Sequence, residues 1–262
     1  MSYVKAIASG INQFFGGVMK RVQFLAAASA ASMLLAGSLH ADVISFRDGE
    51  NGYTGTIDTT IFASQPTNNN NASGNMFVGV QTTGNLTGPN QILIKYTNLF
   101  GNAPGQIEVG STINSATLTF SRQFGFVDQL KIYDLTWDFE PNLTTVTWDN
   151  AGTTANDGIV IGTDTAATAT DGPKTLSSTI PTATFDVTAS LQAWVANPAG
   201  NLGWALINDH ASQSNTSIGS SDNATMSLRP ILTIDYTPIP EPASLAVVGL
   251  GGLMLLARRR TM

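Results

Sequence analysis

Cysteine is absent from all 262 residues, histidine occurs twice, and charged side chains make up only 11% of the chain. The missing thiols exclude disulfides and thiolate-held metals. Beyond residue 41 the only histidine is His210, set in the polar stretch Asn208-Asp209-His210-Ala211-Ser212. One histidine cannot build a histidine-rich zinc site, and a Ser-His-Asp triad would need that one residue. His210 reads as an exposed loop residue. Positive charge is scarce as well. Residues 42–237 hold six Lys and Arg (Arg47, Lys95, Arg122, Lys131, Lys174, Arg229) against 17 Asp and Glu, a net charge of −11. Such a segment repels phosphate backbones, which disfavours nucleic acid as a partner. There is no phosphate-binding glycine loop and no nucleophile elbow. Paired carboxylates for glycoside hydrolysis carry no signal, because among 17 acidic residues some pair always looks plausible. The expectation is a protein that is not an enzyme, with a hydrolase or lyase as the remote alternative.

The two ends carry the clearest patterns. Lys20-Arg21 precedes an apolar segment, Phe24 to Leu35, and small residues up to Ala41. That is the charged, hydrophobic, cleavage-site order of a secretory signal. Residues 1–41 are therefore read as an N-terminal extension and signal peptide cleaved after Ala41, with Ala36–Ser38 as the alternative. Met19 is a more natural start than Met1, because residues 1–18 fit poorly as a signal n-region. At the other end, Pro240-Glu241-Pro242 is followed by an apolar run from Ala243 to Ala257 and by Arg258-Arg259-Arg260. Fifteen helical residues span about 22 Å, short of the roughly 30 Å of a bilayer core. The run reads as a marginal membrane helix, softened by Gly249, Gly251 and Gly252. Its arginines mark the cytoplasmic side, which places residues 42–237 outside. Tripeptide, spacing, apolar run and arginines together resemble the PEP-CTERM signal of Gram-negative bacteria. The resemblance implies export through the Sec machinery, recognition by an exosortase and transient inner-membrane anchoring by residues 238–262. It also implies a final location in the cell envelope, on the outer surface or in the extracellular matrix.

Between these ends the pattern is short strands and polar turns. Ile113–Phe120 and Leu130–Leu135 alternate with the period of two of half-buried strands. Further strands are expected at Val43–Phe46, Thr56–Phe62, Met76–Val80, Ile92–Tyr96, Thr144–Trp148, Ile159–Ile161, Thr182–Val187, Trp204–Asn208 and Ile231–Tyr236. One helix is expected, where Val187, Leu191, Trp194 and Val195 fall at helical spacing before Asn197-Pro198. Asn68–Asn71 and Thr163–Thr179 read as low-complexity loops, the second carrying an Asp171-Gly172-Pro173 turn signal. Without disulfides, the 196 residues of 42–237 rest on a hydrophobic core alone. The expected class is all-β, a jelly-roll-like β-sandwich with one short helix.

Several blocks in that region are similar to DNRLRE-domain proteins, a jelly-roll family akin to carbohydrate-binding modules. They include Pro66-Thr67-Asn68 with Met76–Gly79, Gly110–Leu118, Trp137-Asp138, Thr145–Asn150, Phe185–Thr188, Leu191–Val195, Asn201–Leu206 and Arg229–Ile234. Lys95 stands where that family typically has arginine in its fourth strand. The resemblance implies an exported domain associated with polysaccharide. A structural surface or biofilm-matrix protein without sugar specificity is the alternative.

Sugar binding needs aromatic faces and short polar side chains. Trp148, Trp194 and Trp204 have apolar neighbours and read as core. Tyr53, Tyr96, Phe126 and Trp137 are the candidates for exposed platforms. Asp48, Glu50 and Asp58 form an early acidic cluster, and Asp134, Asp138 and Glu140 a second one. Hard oxygen ligands of this kind could hold structural calcium, the one cofactor the sequence suggests.

Overall fold

The computed structural model describes residues 40–81, 87–208 and 214–239. The signal region, the sorting tail and His210 lie outside the described residues, while Ala41 directly precedes the first strand. Residues 41–239 form one compact, all-β unit with one short helix. Its strands are β1 (Asp42–Phe46), β2 (Thr56–Phe62), β3 (Asn75–Gln81), β4 (Gly88–Tyr96), β5 (Thr112–Asp134), β6 (Asp171–Leu176), β7 (Thr182–Asp186), β8 (Trp204–Asn208), β9 (Asn215–Gly219) and β10 (Ile231–Thr237). The helix, α1, is Thr188–Ala196. The Asp186 carboxylate accepts from the Thr188 N–H and O–H at its start, and Pro198 follows its end.

Strand β5 organises the rest. Its first half pairs with β10 on one side and β7 on the other, and β10 pairs onward with β1. Its second half pairs with β9, β8 and β6. The pairings β5–β8, β8–β4, β4–β3, β3–β9 and β9–β5 close a five-stranded barrel, with β2 added to β4. All five pairings are antiparallel, and an odd antiparallel ring cannot close through straight strands. Closure requires a strand that changes direction along its length. In β5 the register breaks between Arg122 and Phe124, and again from Val127 to Ile132, with Gly125 and Gln129 at positive φ. The two expected strands at 113–120 and 130–135 are thus one bent strand.

Closure also needs small residues. Gly79 in β3 has φ +117°, and a Cβ there would lie 2.0 Å from the Ser214 carbonyl oxygen. Strand β9, Asn-Thr-Ser-Ile-Gly, buries Thr216 and Ser217 completely between β3 and β5. Its polar composition hid it from the pattern reading. Strand β6 was also unexpected: Asp171-Gly172-Pro173 is a strand entry, and its broken pairing to β5 suits an edge position for Pro173.

Two cores lie on opposite sides of β4 and β8. Ile92, Ile94, Tyr96, Trp204 and Leu206 join Phe46, Leu118, Phe120, Phe185, Leu191, Trp194 and Ile234 in the main core. Leu93, Ala205, Ile207, Tyr133 and Ile61 face a second core completed by Leu135, Phe139, Val146, Trp148, Ala151 and Ile159. Burial on both faces explains the uninterrupted apolar runs in these strands. The three tryptophans expected in the interior, Trp148, Trp194 and Trp204, are all buried.

The second core corrects two expected strands. Thr144–Trp148 and Ile159–Ile161 are turns and irregular backbone, although Val146, Trp148 and Ile159 are buried as alternation suggested. Their backbone groups bond to side chains instead of a ladder. Asn69 Nδ2 donates to the Leu143 and Val146 carbonyls at 2.8 and 2.7 Å. The Gln91 amide accepts from the Ile159 N–H at 2.8 Å and donates to its carbonyl at 3.0 Å. The buried Asp164 carboxylate accepts from the N–H groups of Thr153 and Val160. The Asn68–Asn71 run is therefore more than a connector; it holds the cover of the second core in place.

Gly79→Ala should destabilise the domain by more than about 2 kcal/mol, because the added methyl meets backbone at a left-handed residue. Urea denaturation followed by tryptophan fluorescence checks this. An unchanged midpoint would show that the β3–β9 closure tolerates the insertion.

Candidate functional site

The four aromatic candidates separate cleanly in the structure. Tyr96 is fully buried, with 0% of its surface exposed, so it is no platform. Its strand is covered on both faces, and its ring meets Trp204 edge-on at 6.5 Å. Tyr53 is half-buried, stacked on Tyr96 at 6.3 Å, and donates its hydroxyl to the Thr97 carbonyl at 3.0 Å. Burial is the main cause that raises the pKa of both phenols, making them harder to ionise. Tyr53 does line an open cleft of about 450 Å³ with Val43, Glu50, Asn98 and Gln106, but its ring is committed to the core. Trp137 is partly buried against the second core. Phe126 is 46% exposed.

Phe126 does not stand alone. Phe124, two residues earlier on β5, is 53% exposed. The register sets Phe124 and Phe77 on either side of Ser217, and their rings meet edge-on at 6.0 Å above that small residue. Phe77 in turn contacts Phe62 at 5.9 Å. In the next row, Phe126 lies opposite Asn215, which lies opposite Gly79, which lies opposite Asn90. Asn90 Nδ2 donates across Gly79 to Asn215 Oδ1 at 3.1 Å, and Asn215 Nδ2 donates to Gln81 Oε1 at 3.3 Å. Gln123 donates to Asn75 Oδ1 beside them. An aromatic row and an amide row thus lie side by side at the barrel closure, with Phe124 and Phe126 exposed and Asn90 buried.

Phe124 and Phe77 escaped the sequence reading. The usable signal was Phe124-Gly125-Phe126, two rings at alternate positions around a glycine. Phe77 looked like ordinary strand packing, and only the pairing through β9 brings it next to Phe124.

The early carboxylates are placed apart in function. Glu50 pairs with Arg47 at 3.2 Å, and Asp48 lies 3.7 Å from Arg229. Asp58, 2% exposed, accepts from the Ser221 N–H at 2.7 Å. Among the described residues no group of three His, Cys, Asp or Glu is placed to hold a metal ion. In the second cluster, Lys95 lies between Asp138 and Glu140 at 2.9 and 2.7 Å, while Asp134 accepts from Ser190 Oγ at 2.6 Å. Lys95 is buried, and its ammonium is held by the Asp138 and Glu140 carboxylates. No family model and no curated protein matches the chain. Among the described residues no helix is long and apolar enough to cross a membrane.

Two outcomes follow. Burial raises the Asp58 carboxyl to about 7, partly offset by the Ser221 donors. A folded-state value above the unfolded one makes the protonated form stabilising. Stability should therefore fall as pH rises from about 4 to about 7 and level off above that. Asp58→Asn should flatten this slope in urea titrations; an unaltered slope would assign it to other groups. Lys95→Ala should cost roughly 2–3 kcal/mol, below the figure for a fully buried pair because both carboxylates reach solvent. Lys95→Met, which keeps the packed stem, should cost less. A Lys95→Met variant as stable as the parent protein would refute the ion-pair account.

Proposed function

We propose that this chain is an exported, non-catalytic polysaccharide-binding protein. Its jelly-roll-like domain, residues 42–237, binds glycan outside the cell after release from the signal region. The tail, residues 238–262, engages the membrane and an exosortase. The observation that carries the binding reading is the exposed pair Phe124 and Phe126 beside the partly exposed amides of Asn215 and Gln81. Phenyl faces stack on the apolar faces of sugar rings, while amides exchange hydrogen bonds with hydroxyls. The net charge of −11 over residues 42–237 favours neutral or cationic glycans over acidic ones. The structural-matrix alternative draws support from β1, whose pairing among the described residues is to β10 alone. Such an edge can add a further strand.

The deciding experiment measures binding of the purified chain to neutral, aminated and acidic polysaccharides, with and without calcium. Saturable binding to a neutral or aminated polymer is expected. Phe124→Ala and Phe126→Ala should each weaken it about tenfold while the domain remains folded by circular dichroism. Binding that survives the double variant would move the site elsewhere. No binding to any polymer by the folded protein would favour the matrix reading, with self-association through β1 then measured by sedimentation.

A further inference from the structure

We propose that β10 is a shear clamp, which lets the domain carry tension between its C-terminal attachment and a polymer held on β5. The proposal rests on the reading above for the two points of load; the clamp itself follows from strand register. Thr237, the last residue of β10, lies opposite Thr112 at the start of β5. Ile231, the first, lies opposite Thr119, beyond which β5 enters the barrel and reaches Phe124 and Phe126. A pull on the chain after β10, resisted at Phe124 and Phe126, therefore draws the two strands lengthwise past each other. Seven register pairs are loaded together.

The other neighbour is arranged in the same sense. Phe46, where β1 joins the body of the domain, lies opposite Leu232, and the first residue of β1, Asp42, lies opposite Tyr236. Withdrawing β10 by its C-terminal end thus shears its five pairs with β1 as well. Side chains reinforce both seams on the exposed face. Ser45 and Thr233 hydroxyls are 3.0 Å apart across β1–β10. Asn114 Nδ2 donates to Asp235 Oδ1 at 2.7 Å and to Thr237 Oγ1 at 3.2 Å across β5–β10. On the other face Leu232 and Ile234 are buried in the main core. A pull between the start of β1 and the end of β10 has the opposite character. Both points lie at one end of the pair, so Asp42–Tyr236 opens first and the rest peel in sequence.

The absence of cysteine gives clean handles. In the full chain, Phe126→Cys with Ile239→Cys applies the shear, and Ala41→Cys with Ile239→Cys applies the peel; all three positions are exposed. Optical-tweezers rupture, which reads the unfolding barrier directly, should need severalfold more force in shear than in peel at one loading rate. Asn114→Ala should lower the shear force and leave the peel force unchanged. Equal forces in the two directions, or a stronger peel, would overturn the clamp. Both pulls are made without glycan, so failure of polysaccharide binding and failure of the clamp are separate results.

Discussion

Five antiparallel pairings in a ring are geometrically frustrated unless a member turns, and β5 is where this domain turns. The bend near Gly125 and Gln129 lets one strand serve β10 and β7 with its first half and β9, β8 and β6 with its second. Around the bend the pairing is irregular, and the neighbours are small: Gly79, Ser217 and Gly125 itself. Those small residues allow close strand approach, and they also leave Phe124 and Phe126 standing above their surroundings. The main core depends on the same turn, since Leu118 and Phe120 before it and Val127, Leu130 and Ile132 after it line one interior.

The second core shows how a chain with few charges and no disulfides covers a sheet with irregular backbone. Buried N–H and C=O groups outside a ladder need partners. Here they come from Gln91, Asn69, Asn150 and Asp164, each a short side chain that stands in for a missing strand. Lys95 extends the same logic to charge, emerging from a strand buried on both faces to meet two carboxylates of the cover. A lysine in that place is tolerated because its partners are supplied by the segment it helps to hold.

Much of the fold was legible, because alternation and helical spacing record burial directly. Strand β2 and the helix around Leu191 and Trp194 fell where spacing put them, and the three interior tryptophans were marked by apolar neighbours. What failed has one physical source. Alternation reports which side chains are buried, and it is silent on whether the backbone has a hydrogen-bonded neighbour. Val146 and Trp148 are buried without a strand, whereas Thr216 and Ser217 occupy a strand without apolar alternation. The site was half legible for the same reason. Phe126 stood out beside a glycine, but Tyr96 looked similar and is buried, and Phe77 reaches Phe124 only through long-range pairing.

The size of the aromatic surface bears on what it can hold. Phe124 and Phe126 are each about half exposed, and a fully buried phenyl covers on the order of 150–250 Å². Together they offer roughly 200 Å², against about 800 Å² for each partner in a stable protein interface. Two rings at alternate positions on a strand stand about 7 Å apart. Under the proposed reading, that spacing would suit successive small units of a polymer, with the partly exposed amides of Asn215 and Gln81 beside the rings. A protein partner would find too little apolar area there. Self-association, if this domain uses it, belongs to β1, whose pairing among the described residues is to β10 alone.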